Sequence, residues 1–130
     1  MNAMATLGKP LRIAKQGMYL WRKRQLSGAF VEAKVALGEC MYAARIDDGE
    51  LGAKISALNE QLRRAEAVGV SSQALKAARR HLVIQLASAA LEDDGPLPGA
   101  DAEFRRARDA QAALEMYEKS VDVRRTAQLD

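Results

Sequence analysis

PLRIAKQGMYLWRKRQLSGAFVEAKVALGECMYAA, residues 10 to 44, holds no proline after its first position. The missing N–H of a proline costs nothing in the first turn of a helix, so the stretch reads as one helix opening at Pro10. At 1.5 Å per residue that helix would run about 50 Å, more than one small domain covers. Followed at 100° per residue, Leu11, Ala14, Met18 and Trp21 share one face of its first half. Leu26, Phe30, Ala33, Leu37, Met41 and Ala44 share another face in its second half. The five-residue step from Trp21 to Leu26 offsets the two stripes by roughly 100°. Lys9, Arg12, Lys15, Arg22 and Lys23 fall on the arc that continues the second stripe. Either the helix kinks near Ser27-Gly28, where propensity is lowest, or its halves are straight and face different partners. On both readings the N-terminal half does not extend the same core.

Three more helices follow from the same logic. Arg45 to Glu50 ends the first helix, with Asp47 or Asp48 as N-cap of the second, about 48–67. Leu51, Ile55, Leu58, Leu62 and Ala65 form its stripe, too short for a self-standing coiled coil, and Gly69 stands past its end. Ser71 or Ser72 caps a third helix, about 72–91, striped by Leu75, Ala78, Leu82, Leu86 and Ala89. Val83 and Ile84 widen that stripe toward burial on more than one side. The break at EDDGPLPGA, residues 92–100, precedes a fourth helix of about 101–127, capped by Asp101 and striped by Phe104, Ala107, Gln111, Leu114, Tyr117 and Val121. Residues 1–9 read as a flexible lead. Short linkers make consecutive helices antiparallel neighbours, with the fourth running back beside the first. The expectation is a single all-α domain: a four-helix antiparallel bundle or extended helical hairpin whose first helix overhangs.

Composition agrees. The 48 % hydrophobic and 28 % charged content is that of a folded chain, and the 130 residues suffice for one modest core. Alanine is abundant, and aromatics at 5 % are few, so helices should pack through small side chains. The single cysteine, Cys40, excludes an internal disulfide and suits a reducing compartment. No apolar run approaches membrane-spanning length and no signal-peptide core opens the chain, so a cytoplasmic protein is expected.

The net charge of +3 divides unevenly, with +6 through residue 45 and −3 beyond it. Such a split can mark a surface for an acidic partner, although at this magnitude a solvated helix face is the reading that comes first. Catalytic patterns are missing: no P-loop, no dinucleotide fingerprint, no His-Glu-x-x-His and no Glu-x-x-His pair occurs. His81 is the only histidine and reads as a boundary residue beside Arg79 and Arg80; Cys40 reads as a core thiol. Asp47, Asp48 and Glu50 with Glu92, Asp93 and Asp94 match no calcium-loop pattern. No metal, cofactor or small-molecule substrate is implied.

What remains is the basic arm. Leu11, Ala14, Met18 and Trp21 offer an apolar face, Tyr19 sits beside Trp21, and Arg12, Lys15, Arg22, Lys23 and Arg24 supply steering charge. The expected role is a non-catalytic interaction or assembly module that docks a partner helix or a second copy. Nucleic-acid binding through Arg22, Lys23 and Arg24 is the second reading, though the recognition-helix motif and dense Lys/Arg of such proteins are missing. Attachment to an anionic membrane surface, with Tyr19 and Trp21 at headgroup level, is the third. The bland alternative packs Trp21 under the fourth helix or a second subunit, as helical stripes ordinarily do. The three glycines of the first helix, Gly17, Gly28 and Gly38, either admit a close neighbour or mark tolerated weakness.

Overall fold

The computed structural model describes the backbone over residues 2–46, 49–93 and 97–129, and side chains over 17–46, 49–93 and 97–122. It consists of four helices: α1 (Asn2–Ala44), α2 (Glu50–Ala67), α3 (Gln73–Glu92) and α4 (Asp101–Leu129). Among the described residues there is no strand, and the helices pack as an all-α bundle.

Helix ends differ from the sequence reading in instructive ways. α1 begins at Asn2 rather than Pro10, so residues 2–9, expected as a flexible lead, continue the helix. Ala3, Met4, Ala5, Leu7 and Lys9 are strong helix formers, and the helix passes Pro10 although the ring removes one hydrogen bond and crowds the carbonyl four residues back, at about 3 kcal/mol. It is also unbroken across Ser27 and Gly28. α2 is capped by Gly49, with no side-chain cap bond; Asp47 and Asp48 lie outside the described residues. Glycine is accepted at an N-cap, and Glu50 in the first turn meets the positive end of the helix dipole. Ser72 occupies the cap position of α3 at φ −109° and ψ 8°, a backbone that does not aim its hydroxyl at the first turn. Its carbonyl instead accepts the Lys76 N–H at 2.9 Å. Asp101 is the first helical residue of α4 rather than its cap, and the Ala100 carbonyl takes the Phe104 N–H at 2.9 Å.

Two C-termini close by the same device. After α2, Gly69 at φ +70° turns left-handed, the Val70 N–H reaches Ala65 O and the Gly69 N–H reaches Glu66 O. After α1 the left-handed residue is Arg45, at φ +54°, with Ile46 N–H on Met41 O and Arg45 N–H on Tyr42 O. Ile46 then folds back against the core.

The helices lie in the order α2, α3, α1, α4: α3 packs between α2 and α1, and α4 packs along the other side of α1. The buried core is Ala33, Leu37 and Met41 of α1, Ile55 of α2, Val83, Leu86, Ala87, Ala90 and Leu91 of α3, Ala100, and Ala107 of α4. α3 is buried on two sides, as Val83 and Ile84 suggested, while Ala78 and Ala89 of its expected stripe are exposed. α1 and α2, consecutive in sequence, meet through a polar chain rather than a shared apolar seam. Tyr42 Oη and Ser56 Oγ are 2.8 Å apart, Asn59 Nδ2 donates to Tyr42 Oη, and Arg79 Nε donates to Asn59 Oδ1 at 2.6 Å. The Arg79 guanidinium also forks onto both oxygens of Glu39. Those hydrogen bonds raise its pKa further, so it stays charged.

α1 and α3 touch most closely at Gly38. A Cβ there would overlap the Val83 carbonyl and lie 2.6 Å from Val83 Cγ1. Gly38 therefore admits the backbone of α3, while Gly17 and Gly28 face open space. α3 is held to this crossing by Arg79 on Glu39 and by Arg80 on Glu32 at 2.7 Å.

Candidate docking surface

α4 runs antiparallel along α1 and reaches beyond the α2–α3 block. Gly99 O accepts the Cys40 thiol at 3.2 Å near one end of this pair. Near the other end the rings of Tyr19 and Tyr117 stack at 5.7 Å, and Lys23 reaches Glu118 at 3.8 Å. The distal part of the molecule is thus a two-helix hairpin.

This geometry corrects the idea that the apolar seam of α1 rotates. Tyr19, Lys23, Leu26, Phe30, Ala33 and Leu37 follow helical 4-3 spacing without interruption, and all are at least half-buried. The seam facing α4 runs straight through. A tyrosine ring and a lysine stem fill its distal end as aliphatic side chains fill the rest. The Met18–Trp21 stripe is a separate face. Trp21 lies roughly 160° round the helix from Tyr19, on the side away from α4. It is 60 % exposed, and Met18 is 70 % exposed.

The predicted residues therefore divide. Met18, Trp21, Arg22 and Arg24 are on the open surface. Tyr19 and Lys23 are drawn inward to hold α4. Leu11, Arg12, Ala14 and Lys15 lie outside the residues whose side chains are described. Arg22 donates only to Gln25, at 3.5 Å, and neither it nor Arg24 meets an acid among the described residues. No family model, curated protein or solved structure matches this chain.

Sequence reasoning missed two exposed apolar residues of the hairpin. Met116 of α4, 71 % exposed, turns to the same flank as Met18, and Leu20, 57 % exposed, turns to the opposite one. Both stand off the stripes of their own helices, and a large apolar residue outside a stripe was the available signal. Between the helices, farther along the hairpin from this tip, lies a shallow depression of about 260 Å³ lined by Ala29, Glu32, Ala33, Ala36, Arg106 and Ala110.

The other titratable groups sit apart. Cys40 is half-buried against the core; desolvation, then the nearby Glu103 carboxylate, raise its thiol pKa. A raised pKa disfavours the thiolate that nucleophilic chemistry needs. His81 is exposed and hydrogen-bonded to Gln85. Among the described residues no three His, Cys, Asp or Glu side chains gather to hold a metal ion. Nor, among those residues, is any helix long and apolar enough to cross a membrane.

Proposed function

We propose that this chain is a non-catalytic assembly module that binds a protein partner through the outer face of the distal hairpin. The observation that carries this reading is Trp21, a large indole 60 % exposed on the side of α1 away from α4. Exposed aromatic and methionine side chains grouped with arginine are the composition of interface centres, where a few such residues supply most of the binding energy. Arg22 and Arg24, without acidic partners among the described residues, sit where they steer an acidic surface into register. Among the described residues the open surface carries two arginines, few for a phosphate backbone, which favours protein over nucleic acid.

The test compares the full chain with a Met18→Ser/Trp21→Ser double variant, each crosslinked in an extract of the producing cell. The native chain retains a discrete protein species that survives nuclease treatment, and the variant loses it. Identical captures by both chains contradict the reading, and capture abolished by nuclease transfers it to nucleic acid.

A further inference from the structure

We infer that the partner is a second copy of this chain, docked hairpin against hairpin with α1 of each copy over α4 of the other; this rests on the docking role proposed above. The positions of two methionines point to this arrangement. Met18 and Met116 each precede one of the stacked tyrosines, Tyr19 and Tyr117, on antiparallel helices. One residue back on two antiparallel helices turns to the same flank of the hairpin. The two exposed methionines therefore stand side by side at one level, and Ala29 and Ala36 continue that flank along α1. α3 packs on the other side of α1, at Gly38, and enters this flank only where Arg80 meets Glu32.

Charge on the two helices is complementary. Residues 17–25 of α1 carry a net +3, and residues 109–122 of α4 carry a net −3. Within one chain they already pair across the hairpin, through Lys23 and Glu118. On this flank α1 presents Arg22, one residue before Lys23, and α4 presents Asp109, seven residues before Met116 and on its face; a two-fold axis running along the hairpin between two copies turns each Arg22 toward the acid of the other copy's α4 and sets each Met18 over the other copy's Met116. Such an interface is self-complementary, as two-fold symmetry demands.

The area of the flank fits a second copy as well. From residue 17 to residue 40 the free flank is about 36 Å long and two helices, roughly 20 Å, wide, or roughly 700 Å² of face per copy. A standard stable interface uses about 800 Å² per partner. The alanine-lined depression lies within this flank and accepts side chains from the opposing copy.

Sedimentation equilibrium of the full chain tests this. The expected mass is about twice the 14.2 kDa of one chain, at concentrations of about 100 µM, well above a micromolar dissociation constant. Met18→Glu and Met116→Lys each give the single-chain mass with unchanged helical circular dichroism, because both residues are exposed in the isolated chain. An equimolar mixture of the two variants returns to twice that mass, since the new Glu of one chain meets the new Lys of the other. A native chain that stays at 14.2 kDa overturns the second-copy proposal while leaving a different protein partner open to the crosslinking test. A dimer indifferent to both substitutions overturns the surface.

Discussion

Adding one methyl group to α1 should have opposite effects at two glycines. At Gly28 a Cβ meets nothing within 4 Å, so Gly28→Ala removes only the entropic cost of glycine in a helix. The expected gain is about 0.5–1 kcal/mol. At Gly38 the same change carries the same propensity gain but drives the methyl into Val83, 2.6 Å from Cγ1 and 2.9 Å from the carbonyl carbon. Carbonyl atoms of α3 cannot rotate aside as a flexible side chain can. α1 and α3 must separate, and separation loosens Leu37, Val83 and Leu86, three of the most buried side chains. Overpacking costs about 1–3 kcal/mol, and backbone overlap belongs at the upper end. Net of the propensity gain, Gly38→Ala should lose about 2 kcal/mol. Urea unfolding followed by circular dichroism reads both variants. With a slope of about 1–3 kcal/mol per molar, the two midpoints should lie on either side of the native one and differ by about 1 M or more. A Gly38→Ala protein that unfolds at or above the native midpoint would refute the close α1–α3 crossing.

Two further outcomes follow from local chemistry. Arg45 holds a left-handed backbone at φ +54°, which costs a residue with a Cβ about 1–2 kcal/mol. Arg45→Gly should raise stability by about 0.5–1 kcal/mol after loss of a cation at the helix C-terminus, and an unchanged or lowered melting temperature would contradict the left-handed turn. The Cys40 thiol has a folded pKa above its ordinary 9.0, so its contribution to stability is whole below pH 9.0 and is lost as pH rises through the folded value. Urea midpoints should therefore fall on the alkaline side of that value in the native chain and hold steadier in Cys40→Ala. At neutral pH the folded thiol should alkylate more slowly than the unfolded one, and equal rates would place it outside the α1–α4 packing.

Helix count, order and periodicity were legible because alanine-rich stripes at 4-3 spacing leave few alternatives, and proline and glycine fall between them. The fourth helix running back beside the first was legible from the short linkers, but the same rule set α1 beside α2, where α3 packs between them instead. Capping was read less well. Asp and Ser near a boundary compete for the cap, and here Gly49 and the Ser72 backbone take the places expected of side chains. The seam of α1 misled most. Judged on strictly apolar residues it breaks at Trp21, whereas Tyr19 and Lys23 continue it with a ring and an aliphatic stem. Which of three glycines admits another helix is not written locally either, because Gly17, Gly28 and Gly38 differ only in what lies across from them.

The claim on which the function rests is that the chain leaves one face of its distal hairpin open, with Trp21 on it. Trp21 is the sole tryptophan, so acrylamide quenching of its fluorescence in dilute full-length protein reports on that face alone. The account predicts quenching close to that of a free tryptophan analogue, undiminished by dilution and reduced as concentration rises. Weak quenching that persists at the lowest measurable concentration would mean that the chain covers Trp21 by itself, and the docking reading would fail.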